Sequence, residues 1–201
     1  MPKTPLARIV ALVSLVLALV LAGFVGWTLL RTPTERTAGA TSVSIGGPFS
    51  LTDQFGQRRT DKDFAGQLKL IYFGFTYCPD VCPTELQAMS TALDLLDADA
   101  EKVTPIFITI DPERDTVEQM SAYAAYFHPR LVALTGTPEE IAAVAKAYRV
   151  YYARVETGQE GAYTMDHSSF IYLMGPDGRY LTHFGPGTAP EEMAETIRQH
   201  L

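Results

Sequence analysis

The chain contains two cysteines, and both stand in one short segment, GFTYCPDVCPTEL at 74–86. Three residues separate Cys78 from Cys82, and a proline follows each. Thiols spaced this way can be a buried pair, a structural disulfide, a redox couple or two ligands of a soft metal ion. Four residues apart in a turn or a first helical turn, their side chains start about 5–6 Å from one another, close enough to bridge or to grip a single ion. A permanent disulfide over so short a loop restrains little of the unfolded chain. A helix amino terminus beside the pair would favour thiolates, which both disulfide exchange and metal binding require.

Two protein ligands rarely hold a soft ion such as Cu(I) or Zn(II) against competitors, so a metal site needs a third group from elsewhere. The histidines are His128, His167, His183 and His200. His167, in MDHSSF, is the strongest candidate, because it precedes an apolar run at 169–174 that reads as a strand. Asp166 beside it is a candidate to orient a ring or partner. Met165 is a candidate thioether ligand, whereas Met89, Met120, Met174 and Met193 fall on apolar faces and read as core. The carboxylates of DPERD at 111–115 read as a loop and a helix cap rather than a site for a hard cation.

The elements that must position these groups follow from periodicity. LKLIYFGF at 68–75 is a continuous apolar run of the kind a central buried strand shows, and it leads directly into the cysteines. After Cys82, Leu86, Met89, Leu93 and Leu96 recur at spacings of three and four, which predicts a helix with one apolar face and Pro83 at its first position. TPIFITI at 104–110 reads as the next buried strand. Thr116 with Gln119 and Thr137 with Glu140 read as capping boxes that open two more helices, the second with Pro138 in its first turn. FSLTDQFGQRRT reads as two short strands around Gly56. SFIYLM and RYLTHF flank GPDG at 175–178, a hairpin signal, and a last helix follows Pro190. Tyr148, Tyr151 and Tyr152 form an aromatic group at a helix-to-strand junction, where packing is the default role.

A dithiol at the end of the first central strand of this series predicts an α/β, thioredoxin-like sandwich with mixed strands. Thioredoxin-type oxidoreductases separate their cysteines by two residues and carry a proline in the loop over the dithiol. Here the separation is three, and no proline lies between Thr164 and Ser169. Both departures favour metal binding over disulfide exchange. Peroxide reduction is disfavoured because position 75, where such enzymes need a threonine, is Phe75.

The remaining segments bear on location. Ile9–Leu30 is a run of 22 residues without a charge. At about 1.5 Å per residue a helix of that length reaches roughly 33 Å, enough to span a bilayer. A cleaved signal is the alternative, since Ala38-Gly39-Ala40 has a small-x-small pattern, but signal cores are shorter. The expected organisation is a short cytoplasmic amino terminus at 1–8, a transmembrane anchor at 9–30, a linker at 31–48 and a folded domain at 49–201. Lys3 and Arg8 before the span, against Arg31 and Arg36 with Glu35 after it, put the amino terminus on the cytoplasmic side by a small margin. Beyond residue 40 there are 12 Lys and Arg against 22 Asp and Glu, a net charge of −10. Such a surface repels phosphate backbones and argues against nucleic-acid binding.

YCPDVCPTEL, ITIDPERDT, LTGTPEE and DHSSFIYLMGPDGRY resemble the Sco/SenC family of membrane-anchored copper proteins, over a stretch from about Phe49 to the final helix. The resemblance implies a thioredoxin fold, one copper ion per domain on Cys78, Cys82 and His167, and a metallochaperone role in assembling the dinuclear copper centre of cytochrome c oxidase. The implied partners are cytochrome c oxidase subunit II and a periplasmic copper chaperone or thiol reductant. The implied location is the bacterial inner membrane, single pass, with the domain facing the periplasm. A thiol-disulfide reductase that keeps the cysteines of subunit II reduced is the alternative function, with Cys78 and Cys82 as its redox pair.

Overall fold

The computed structural model of the chain describes residues 5–30, 45–158 and 161–201, the first stretch with side chains at 13–25 and 27. Two compact units result, Met1–Ser42 and Val43–Leu201. The first is built on α1, Pro5–Leu30. Its described apolar side chains, among them Leu15, Leu17, Leu19 and Leu21, are exposed. Among the described residues no helix is long and apolar enough to cross a membrane, and most of the expected linker, 31–44, lies outside them. At its far end Ile45 packs against the second unit's core and Gly46 donates to the carbonyl of Ala147 at 2.9 Å, so 45–48 are bound to the folded unit.

The second unit is built on a seven-stranded mixed sheet. Its strands are β1 (Ser50–Asp53), β2 (Arg58–Thr60), β3 (Leu68–Gly74), β4 (Val103–Thr109), β5 (Val132–Thr135), β8 (Ile171–Met174) and β9 (Tyr180–Phe184), in the order β2-β1-β5-β4-β3-β8-β9. β3 and β4 run parallel, from Leu68 opposite Val103 to Gly74 opposite Thr109. β8 joins the other edge of β3 antiparallel. Every residue of β3, β4 and β8 is buried. Strands buried on both faces must be covered on both, which explains why they read as near-continuous apolar runs, interrupted by Lys69, Thr104 and Thr109, instead of alternating ones.

The helices are α2 (Val81–Leu95), α3 (Val117–Ala124), α4 (Pro138–Ala147) and α5 (Pro190–Arg198). α2 buries Leu86, Met89 and Leu93, and Leu96 beyond its end is buried too, as the spacing predicts. It begins earlier than expected, so Pro83 is its third residue and not its first. The first turn tolerates proline at either place, because its N–H groups have no intrahelical partner. The box at Thr137 and Glu140 is complete, with Pro138 at the first position of α4. At α3 only half of the box forms. The Thr116 hydroxyl accepts from the Gln119 amide, but the Gln119 side chain turns away to donate to Thr76 Oγ1 at 3.0 Å.

A separate two-stranded ribbon was not expected. Among the described residues β6 (Tyr152–Glu156) and β7 (Tyr163–His167) pair only with each other, with Tyr152 opposite His167. Their mixed polar and apolar residues lie half-buried or exposed, so no apolar run announced them. His167 therefore ends a strand rather than occupying a loop, and the following strand starts at Ile171.

Candidate metal and thiol site

The site forms where two parallel strands end side by side. β3 leads through Phe75, Thr76 and Tyr77 to Cys78, and Ile110, just past β4, donates its N–H to the carbonyl of Gly74 at 2.8 Å. Gly74 is the last residue of β3, and a Cβ there would stand 2.8 Å from Cys82 Sγ and 3.0 Å from the rings of Phe107 and Tyr72. The absence of a side chain lets the helix bring Cys82 flat against the strand. Cys82 is fully buried and Cys78 half-buried, both as free thiols.

Cys82 is the second residue of α2, and its N–H points at Cys78 Sγ, 3.4 Å away. Cys78 thus sits at the positive end of the helix dipole. Hydrogen bonding from the Cys82 thiol, joined by the amides of Asp80 and Cys82, holds Cys78 down to about 4 against the resistance of partial burial. Cys82 goes the other way, its thiol pushed far up by the hydrogen bond to Cys78 and by burial. The two shifts oppose each other, so Cys78 is the sulfur that favours the thiolate and Cys82 the one that favours keeping its proton.

His167 Nε2 lies 3.5 Å from Cys82 Sγ. Nδ1 is 3.0 Å from the carbonyl of Ser168. A carbonyl only accepts, so in the neutral ring Nδ1 carries the hydrogen and Nε2 turns its lone pair toward the thiols. The ring is boxed edge-on by Tyr72 and Phe75, with centroids 6.2 and 6.0 Å away. Asp166, expected to orient it, is exposed on the opposite face of β7, and the Ser168 carbonyl does that work instead. Met165 packs against the core on the same face of β7 as His167, and Met89, Met120, Met174 and Met193 are fully buried. Of the other histidines, His128 Nδ1 accepts from the Arg130 amide and His183 bonds to the Tyr180 hydroxyl. Among the described residues no three His, Cys, Asp or Glu side chains are set as a closed metal cage. Thiol and imidazole meet instead across a hydrogen bond.

Several neighbours escaped the sequence reading. Tyr72 is fully buried, and its hydroxyl, near Cys82 and Ser169, lacks a partner of ordinary geometry. Glu85 is buried one turn past Cys82, accepts from the Gly187 amide at 2.8 Å, and is raised by burial. Asp115 is fully buried, and three hydrogen bonds from Thr76 and Thr109 end on it. The available signals were Gly74 inside an apolar strand and an unusually polar loop, 111–115, directly after another.

A thioredoxin-like α/β domain with a dithiol at the mouth of its central strand and an imidazole laid over the thiols is the class this fold and site define. The chain belongs to the SCO1/SenC family, whose model matches residues 37–201. The human Protein SCO1 homolog, mitochondrial, is 50% identical over 169 residues, spanning 83% of this chain and 56% of the human protein. The chain thus spans little more than half the length of that relative. Copper-bound ScoI of Bradyrhizobium japonicum is 50% identical with a TM-score of 0.74, over 79% of this chain and 100% of that one. BsSco, described with a disulfide switch as a member of the Sco family of cytochrome c oxidase assembly proteins, is 28% identical with a TM-score of 0.62, over 78% of this chain and 93% of that one.

Proposed function

We propose that this protein is a copper metallochaperone, holding one copper ion as cargo on Cys78, Cys82 and His167 and delivering it to the dinuclear copper centre of cytochrome c oxidase subunit II. The observation that carries the reading is the 3.5 Å approach of His167 Nε2 to Cys82 Sγ with Cys78 Sγ against the Cys82 amide. Two sulfurs and one imidazole nitrogen are a donor set for a soft ion. Bonds of about 2.3 Å to sulfur and 2.0 Å to nitrogen need donors separated by about the distance seen. The residues do the rest: the Ser168 carbonyl keeps Nε2 free, the helix terminus keeps Cys78 a thiolate, and Cys82 must release its proton for both sulfurs to bind. The half-buried Cys78 leaves an open side through which an acceptor thiolate can enter.

The proposal includes a single membrane anchor at 9–30, with 1–8 in the cytoplasm, 31–44 as a tether and the domain in the bacterial periplasm. Its support is the sequence alone, the uncharged run Ile9–Leu30, which as a helix would have the length of a bilayer span.

A thiol-disulfide reductase is the second reading, favoured by the low pKa of Cys78. There the Cys78 thiolate attacks a disulfide of subunit II and one target sulfur leaves. Cys82 gives up its proton to that sulfur and closes the Cys78–Cys82 disulfide, releasing the second target thiolate. The target gains two electrons, and a periplasmic thiol reductant must return the pair to the reduced state.

Oxidase activity in strains carrying single substitutions separates the two. Metal delivery expects loss in both His167→Ala and Cys78→Ser, restored by added copper. Normal activity in His167→Ala with loss in Cys78→Ser would overturn delivery and leave reduction.

A further inference from the structure

The thiols and the imidazole come from parts of the chain with no strand pairing between them, yet one loop touches both. At its far end, Asp115 accepts from the Thr76 amide at 3.0 Å and from its hydroxyl at 2.6 Å, fixing the turn two residues before Cys78. Thr109 Oγ1 donates to the same carboxylate at 2.6 Å, so that turn is tied to the end of β4. Earlier in the loop, Arg114 Nε donates to Asp111 at 2.5 Å, and Nη1 donates to the carbonyl of Tyr163 at 3.0 Å, the first residue of β7. The Tyr163 hydroxyl donates back to Asp111 at 2.9 Å.

The rings complete the arrangement. The Arg114 guanidinium carbon lies 3.7 Å from the centre of the Tyr163 ring, and that of Arg154 lies at the same distance from it. Arg114 also faces Tyr77, at 4.7 Å, and Phe75, at 5.9 Å, both in the segment that leads into Cys78. Its Nη2 is buried and has no hydrogen-bond partner among the described residues. A planar cation can stack on one aromatic group while its edge makes directed bonds, and a lysine cannot. Tyr163, Met165 and His167 alternate along β7 on one face, so fixing Tyr163 fixes the direction from which His167 approaches the sulfurs.

We propose that the loop 111–115 is a bracket joining the two halves of the site, and that Arg114 is a positioning residue that sets His167 over the thiols by gripping the ribbon at Tyr163. This rests on the copper reading for its consequence, but the grip itself is a property of the metal-free protein. It predicts coupling: Arg114 should matter to copper only through His167.

The test compares, in the full chain, Arg114→Gln, Tyr163→Leu as a second way to break the grip from the ribbon side, His167→Ala, and the two double variants that join His167→Ala to each. Two readouts are taken: amide exchange at 152–156 and 163–167 without metal, and the thiolate-to-copper absorption and affinity with Cu(II). Arg114→Gln and Tyr163→Leu should each speed exchange in the ribbon at least tenfold while leaving β3 and β4 protected. Each should weaken copper at least fivefold in the parent protein and less than twofold in the His167→Ala background. Unchanged ribbon exchange in both variants would overturn the bracket, as would an equal copper loss with and without His167. If His167→Ala itself leaves copper binding intact, the copper reading fails, and the exchange data alone then decide the bracket.

Discussion

The two halves of the site are anchored very differently. The dithiol stands at the junction of β3 and α2, with Cys82 fully buried against Gly74 and a strand bonded on both sides behind it. His167 stands at the end of a ribbon whose strands, among the described residues, pair only with each other and whose side chains are half-buried or exposed. Fixed thiols and an imidazole on a more lightly held arm suit the proposed copper carrier, which would have to close on an ion and open to release it. Segments with few buried contacts are the ones that open at low cost.

The largest contrast expected lies within the dithiol. With Cys78 held to about 4 and Cys82 far above the ordinary thiol range, iodoacetamide at pH 6 should modify Cys78 at least about a hundredfold faster than Cys82. The Cys78 rate should stay level from neutral pH downward and fall only as pH drops through about 4, where the thiolate takes up its proton. Mass spectrometry of the modified peptides against pH checks both. Equal rates, or a rate that falls through pH 8, would contradict the assignment of the proton to Cys82.

Next come stability effects. Leu93→Ala, in the α2 face that backs the dithiol, should cost about 2–5 kcal/mol in denaturant unfolding, with or without metal. Gly74→Ala should cost about 1–3 kcal/mol, because the new methyl would meet Cys82 Sγ and two rings, and it should weaken copper as well by displacing the sulfur. Smallest is Val155→Ala in the ribbon, an exposed position where a change within about 0.5 kcal/mol is expected. A ribbon substitution as costly as Leu93→Ala would erase the contrast between the two arms.

What could be read from the sequence follows the same division. The buried strands and α2 were legible because their apolar residues recur at the period of the element. Cys78, Cys82 and His167 stood out by residue type. The ribbon was not legible, since Tyr152–Glu156 and Tyr163–His167 mix Arg, Glu, Thr and Asp with apolar residues and bury too little to impose a pattern. The loop 111–115 was read as a cap, and Thr116 does cap α3, but the burial of Asp115 under Thr76 and Thr109 depends on β3 and β4 ending together. Such long-range pairing leaves no local trace. Glu85 was hidden for the same reason, since its partner Gly187 lies 102 residues away.

The most direct test of the central claim is X-ray absorption at the copper edge on the copper-loaded protein and on His167→Ala. The account predicts two sulfur neighbours and one imidazole nitrogen in the parent, and loss of that nitrogen with both sulfurs retained in the variant. A sulfur-only shell in the parent, unchanged by the substitution, would contradict it.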